Sequence, residues 1–315
     1  MRAFRIPLRI PFRGLDRREG VLVHGPAGWG EFSPFPDYGP RLAARWLRAV
    51  REATRDTWPA PLRDRIPVNV TVPAVSPQQA HTIVAASGCA TAKVKVAVPG
   101  RPDAEDVARV EAVRDALGPA GRLRVDANGA WDVDAATRML RALGRFDLEY
   151  AEQPVATLPD MARLRRRVDV PLAADESVRS AEDPLRGAGL AAADVVVLKV
   201  HPLGGVREAL RVAEAAGLPA VVSSALETSV GIAAGLALAA ALPDLPHACG
   251  LATVGLLAGD VVADPLVPVG GAIALRRPPV SAEAAARWQL RGASADAWRA
   301  RLAETERSCA HGSAW

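Results

Sequence analysis

The chain has 315 residues, half of them hydrophobic, enough to bury a large core as a single α/β barrel with a small appendage. Its 39 basic and 35 acidic residues leave a net charge of +4 spread along the sequence, with no lysine-rich tail and little aromatic interleaving, which argues against a nucleic-acid partner. Cys89, Cys249 and Cys309 lie far apart without CxxC or Cys/His spacing, which argues against a disulfide framework or a zinc site and fits a reducing cytoplasm.

The first residues, Met1 to Gly14, are broken by Arg2, Arg5, Arg9 and two prolines and lack the continuous apolar stretch of a secretion signal. Phe4, Ile6, Leu8 and Ile10 alternate there, which predicts a strand. A turn at Gly25 to Gly28 and a Gly-, Pro- and aromatic-rich loop from Trp29 to Tyr38 complete a capping segment, residues 1–62. That loop either closes over a site from the cap or glues cap to barrel.

Beyond Ile66, short apolar or β-branched runs alternate with helical patterns about eight times, the signature of a parallel-stranded TIM-type barrel over residues 63–268. Predicted strands cover 67–72, 90–98, 123–127, 147–152, 171–175, 194–200, 219–223 and, weakest, 247–251. Helical patterns fill the gaps. Val107, Val110, Val113 and Leu117 form one apolar stripe on a helix predicted from Asp103 to Leu117, with Gly118 and Pro119 ending it. The most apolar segment, Val230 to Leu242, is too short for the roughly 20 residues a bilayer requires. It predicts a buried helix and no membrane partner. Residues 269–315 form an Ala/Arg-rich tail that completes the small α+β cap or packs on the barrel, with Cys309 to Trp315 expected to be disordered.

Of the basic residues only three are lysine: Lys93, Lys95 and Lys199. Arginine stays protonated at working pH, whereas lysine can be pushed toward neutrality and can therefore carry a proton. Lys93 and Lys95 are two apart in TAKVKVAV, so on a strand they share a face, roughly 6 to 7 Å apart. A like charge at that distance lowers the pKa of one of them toward that of a general base. Asp126, Glu152 and Asp175 end successive predicted strands, which gathers three carboxylates at the C-terminal mouth of a barrel. A divalent cation relieves their repulsion, and an all-oxygen donor set suits Mg²⁺. Lys199 ends the next strand and approaches from the opposite wall. This constellation suits abstraction of the proton next to a small-molecule carboxylate, with stabilisation of the resulting enediolate.

The motifs KVK, VDANGAW, AEQP, ADES and LKVHPLGG, in that order over residues 93–205, resemble the muconate lactonizing enzyme subgroup of the enolase superfamily. SSALETSVG at 223–231 and ACGLATVGLL at 248–257 extend the resemblance to hydro-lyases of menaquinone biosynthesis within that superfamily. It implies a Mg²⁺ enzyme, with Mn²⁺ a possible substitute, held by Asp126, Glu152 and Asp175. It implies Lys95 as the base and then the acid of a syn-dehydration, Lys199 as the stabilising cation and Lys93 as the group that tunes Lys95. By the same resemblance Asn128 and Glu176 orient these groups by hydrogen bonds. Arg124 shares a strand face with Asp126, and either orients ligands or substrate or closes an ion pair on the barrel floor. Ser223, Ser224, Leu226, Thr253 and Gly255 are the expected substrate contacts. A racemase or epimerase of the same superfamily would use the same metal ligands and lysines, and a catalytically silent metabolite-binding barrel would be expected to lose one of them.

Overall fold

The computed structural model describes residues 1–179 and 191–311, so the last four residues of the tail expected to be disordered lie outside the described residues. Strands β1 (Arg2–Phe12), β2 (Leu15–Gly25) and β3 (Gly28–Phe32) form an antiparallel sheet in sequence order, followed by helix α1 (Pro40–Arg55). The alternation at the start of the chain works as expected: Phe4, Ile6 and Leu8 are buried against Leu22, Val230 and Leu257. Phe12 pairs with Leu15 around a two-residue turn in which Arg13 (φ 53°) and Gly14 (φ 71°) are both left-handed, the type I′ geometry that matches the strand twist. This turn carries the hairpin tip to the mouth of the barrel.

The short β4 (Arg65–Pro67) leads into seven parallel strands: β5 (Val70–Val72), β6 (Thr91–Lys95), β7 (Arg122–Asp126), β8 (Leu148–Glu152), β9 (Leu172–Ala174), β10 (Val195–Leu198) and β11 (Ala220–Val222), each hydrogen-bonded to the next in that order. The run predicted at 67–72 is thus divided, because β4 pairs with β12 (Ala272–Ala274) instead of joining the barrel sheet. No eighth strand forms at 247–251 among the described residues. Two residues there close the circle all the same. Cys249 bridges Val68, Gly250 bridges Ser223, and backbone bonds of 2.7 to 2.9 Å link them to Pro67, Asn69 and Val222. A β-bulge-like register shift between β7 and β8 pairs Leu123 with Leu148 but Arg124 with Tyr150.

Helices α2 (Pro77–Ser87), α3 (Asp103–Leu117), α4 (Val133–Leu143), α5 (Leu158–Arg165), α6 (Glu176–Arg179), α7 (Val200–Leu203), α8 (Val206–Ala216) and α9 (Ser229–Ala241) connect or follow the strands. Helix α2 starts with a reciprocal Ser76–Gln79 capping box and ends at left-handed Gly88. Helix α3 has the bounds read from its stripe, with Val110 and Val113 fully buried and acidic Asp103, Glu105 and Asp106 in its first turn. Helix α9 is buried on almost every side, as its uninterrupted apolar sequence requires. Among the described residues no helix is long and apolar enough to cross a membrane.

After β12 come α10 (Ala282–Arg287) and α11 (Gly292–His311), the latter continuing through Cys309 to His311, where disorder was expected. Leu290, Ala295 and Leu302 pack with Val21, Phe32 and Trp46, so the tail and the N-terminal segment share one cap core. Burial of each of the larger aliphatic side chains, Val21, Leu290 and Leu302, contributes about 1.5–3 kcal/mol.

Candidate active site

The strand register builds the site. Lys95 of β6 pairs with Asp126 of β7, and Asp126 with Glu152 of β8, so three functional side chains stand in one row at the C-terminal ends of adjacent strands. Asp175 follows β9 directly and Lys199 follows β10. Asp126, Glu152 and Asp175 are at most 1% exposed. Lys93, Lys95, Asp126 and Lys199 line one cavity, and Glu152 and Asp175 are tied to it by ion pairs with Lys93 and Lys199. Three amines, those of Lys93, Lys95 and Lys199, thus converge on one cavity.

Lys93 donates to Asp126 Oδ2 at 3.0 Å and to both oxygens of Glu152 at 2.7 Å. Lys95 donates to Asp126 Oδ2 and to Asn128 Oδ1, each at 2.6 Å. Lys199 donates to Asp175 Oδ2 at 2.5 Å. The electrostatic outcomes of the adjacent pair differ. Burial, helped by the charge of Lys93, outweighs the nearby carboxylates and lowers the pKa of Lys95. Burial acts on Lys93 too, but there Asp126 and Glu152 prevail and raise it above the ordinary lysine value. Glu152 is pushed up to about 7 by burial and by the like charge of Asp126, with Asp175 adding to it.

This donor set fits a hard divalent cation: three buried carboxylates on successive strand ends, with burial and the charges of the other two raising the pKa of Glu152. Among the described residues no group of three or more acidic, His or Cys side chains stands in a preformed metal-binding cluster. Each carboxylate turns oxygens toward Lys93, Lys95, Lys199 or Arg179.

Asn128 and Glu176 are where the resemblance puts them. Asn128 Nδ2 donates to Glu176 Oε1 at 3.1 Å, and its backbone N–H to Asp126 Oδ1 at 3.0 Å. Its left-handed φ of 49° tips the side chain back toward Lys95. Arg124 resolves to the other alternative. It donates to Glu149 Oε2 at 2.5 Å, to Asn69 Oδ1 at 3.2 Å and to the carbonyl of Ala248 at 2.7 Å, with Tyr150 under its guanidinium at 4.6 Å. It is a floor ion pair, and an orienting role at the carboxylates is corrected accordingly. The register shift beside it supplies Glu149 as the partner.

Ser223, Ser224, Leu226 and Thr253 all line the cavity, with Ser224 Oγ and Thr253 Oγ1 hydrogen-bonded at 2.7 Å. Gly255 does not. It is exposed on the outer side of a 3₁₀ turn, Ala252–Leu256, which corrects its expected contact with substrate. The aromatic loop divides its duties. Trp29 is on β3 with His24 at 4.7 Å, whereas Phe35 lines the cavity.

Four further residues were missed in the sequence. Phe12 and Arg13, at the hairpin tip, line the cavity, with Lys95 Nζ 5.1 Å from the ring of Phe12. Arg179 donates to Asp175 Oδ1 at 2.8 Å and to Glu176 Oε1 at 2.5 Å, and also bonds the hydroxyl of Tyr38. A continuous chain therefore runs from the cap through Arg179, Glu176 and Asn128 to Lys95. Gln153, fully buried, accepts from the N–H groups of Asp175 and Ser177 at 2.9 and 3.2 Å and fixes that strand end. Its place in the AEQP motif was the available signal.

An enclosed barrel mouth holding buried carboxylates and facing lysines defines an enzyme of the enolase type. The Enolase C-terminal domain-like family matches residues 76–279 and the Enolase N-terminal domain-like family residues 3–54, so the chain belongs to the enolase superfamily. Within it, the chain is 66% identical to o-succinylbenzoate synthase of Thermobifida fusca (strain YX), covering 96% of this chain and 94% of that protein. It is 55% identical to o-succinylbenzoate synthase of Mycolicibacterium smegmatis (strain ATCC 700084 / mc(2)155), over 86% and 84% of the two chains. Among solved structures, muconate lactonizing enzyme from Pseudomonas fluorescens complexed with muconolactone superposes with a TM-score of 0.80 at 24% identity, over 92% of this chain and 97% of that one, a likeness of fold.

Proposed function

We propose that this protein is a Mg²⁺-dependent o-succinylbenzoate synthase of menaquinone biosynthesis, dehydrating 2-succinyl-6-hydroxy-2,4-cyclohexadiene-1-carboxylate. The observation that carries the reading is the convergence of Lys95 and Lys199 on one cavity together with buried Asp126, Glu152 and Asp175. High identity to two synthases of that name over most of the chain supports the choice of reaction.

Asp126, Glu152 and Asp175 would hold the cation, which when bound supplies positive charge beside the substrate carboxylate. Lys95, with its lowered pKa, takes the α-proton. As the C–H bond breaks, negative charge builds on the carboxylate oxygens, and the Lys199 ammonium compensates it. Lys95 then returns the proton to the departing hydroxyl on the same face; the C–O bond breaks, water leaves and the ring becomes aromatic. Asp126 and Glu152 hold Lys93 in its charged form, while burial and the charge of Lys93 lower the pKa of Lys95.

The charge balance supports an anionic substrate. Arg13, Lys93, Lys95, Arg179 and Lys199 line the cavity, against Asp126 and Glu176 on its surface and Glu152 and Asp175 tied to it by ion pairs. A dication adds to that surplus, which suits a dicarboxylate. The hydroxyls of Ser223, Ser224 and Thr253 offer hydrogen bonds to its succinyl arm. Following the ultraviolet absorbance of the aromatic product tests the reading: Mg²⁺ should support turnover, EDTA should abolish it and Mn²⁺ should restore part of it. Failure to form product with Mg²⁺ present overturns it.

A further inference from the structure

One wall of the cavity is the loop Ser223 to Leu226, and its backbone is held by two charged side chains that do not line the cavity. Leu226 sits at φ 63°, a left-handed conformation disfavoured for a residue with a Cβ, so the loop needs outside support to keep its shape. Glu227, 3% exposed, accepts from the N–H of Ala225 at 2.7 Å, and its second oxygen faces His201 Nδ1 at 3.1 Å. Arg18, 2% exposed and on β2 of the cap, donates Nε to the carbonyl of Leu226 at 3.1 Å. Its Nη2 holds the carbonyl of Ser33 at 2.6 Å, and its guanidinium is 4.5 Å from the ring of Phe35, another wall residue.

A link that merely fastened cap to barrel would join side chain to side chain anywhere along the seam. Here two buried charges hold the backbone of consecutive residues, Glu227 the N–H of Ala225 and Arg18 the carbonyl of Leu226, to either side of the strained φ. We propose that Arg18 and Glu227 are positioning residues that set the shape of the 223–226 wall and thereby the affinity for substrate. The cap then acts on substrate recognition from within its own sheet as well as through the hairpin tip. The kinetic part rests on the dehydration proposed above.

The test compares Arg18→Met and Glu227→Met with the conservative Glu227→Gln, whose amide oxygen still accepts from Ala225. Expected for both Met variants is a KM raised roughly tenfold, the loss of about one hydrogen bond to a charged group, with kcat within about threefold. Deuterium uptake by the peptide spanning 223–228 should rise in parallel, and Glu227→Gln should restore both readouts toward wild type. If a Met variant fails to fold, Arg18→Lys decides, since an ammonium keeps the charge but lacks the guanidinium's separate Nε and Nη2 donors that hold the two carbonyls. Folded variants with unchanged KM and unchanged uptake overturn the inference, as does a loss confined to kcat. Should the wild type form no aromatic product, the assigned reaction fails by itself and deuterium uptake alone decides the positioning role.

Discussion

Two lysines that share a strand face have their pKa values shifted in opposite directions because of what each one touches. Lys93 reaches three carboxylate oxygens and is held charged; Lys95 reaches one carboxylate oxygen and an amide, close to its cationic neighbour. A pair of this kind was legible in the sequence, since period-two spacing fixes the face and the rarity of lysine marks the position. Which member would soften was legible only from motif resemblance. Arg179 was not legible, and Gln153 was marked only by its place in the AEQP motif, because their roles depend on backbone turns after the strands, such as Gln153 at φ 38°. Lys199, ion-paired with Asp175, is placed to act through its charge. Lys199→Arg should therefore retain measurable dehydration, while any racemisation of an N-succinylamino acid, which needs a second proton carrier on that side, should disappear. Equal loss of both activities would contradict a purely electrostatic role.

At the level of elements, helix α9 begins where cap and barrel meet, and Glu31 of β3 holds its first turn by accepting from Thr228 N–H, Thr228 Oγ1 and Gly231 N–H at 3.0, 2.6 and 3.2 Å. Burial, reinforced by the charge of Glu227, pushes the Glu31 carboxyl up to about 7 from 4.5. The folded state therefore holds this proton more tightly than the unfolded chain. Below about 4.5 both states are protonated and nothing is lost; as pH rises to about 7 the folded state must ionise a buried acid, so stability falls by roughly 3 kcal/mol across that window. Urea unfolding at pH 5 and pH 8 should show this fall in the wild type and a smaller one in Glu31→Gln; identical slopes would contradict it. Sequence patterns located seven barrel strands and the buried helix, because continuous apolar runs and helical stripes report burial directly. They overextended the first run, since the division between β4 and β5 is decided by a partner, β12, some 200 residues away. They could not show that the 247–251 segment closes the barrel through isolated bridges only, nor that a register shift gives Arg124 its Glu149 partner.

Across the whole molecule, the cap draws on both ends of the chain, and its hairpin tip, its aromatic loop and the buried Arg18 all bear on one cavity in the barrel. The tail's place in the cap could not be assigned from its Ala/Arg-rich sequence, which carries few large apolar residues to mark a buried face. On the proposed reading, such a division puts proton transfer on the rigid strand ends and leaves the cap to shape and cover the pocket. The claim on which all of this depends is that the Lys95 amine removes the α-proton. Its most direct test is the rate of aromatic-product formation by Lys95→Ala in saturating Mg²⁺, with binding of the product measured separately. The account predicts a rate lower by about 10³-fold or more with product affinity within a few-fold of wild type. A folded Lys95→Ala protein that turns over within about tenfold of wild type would contradict it.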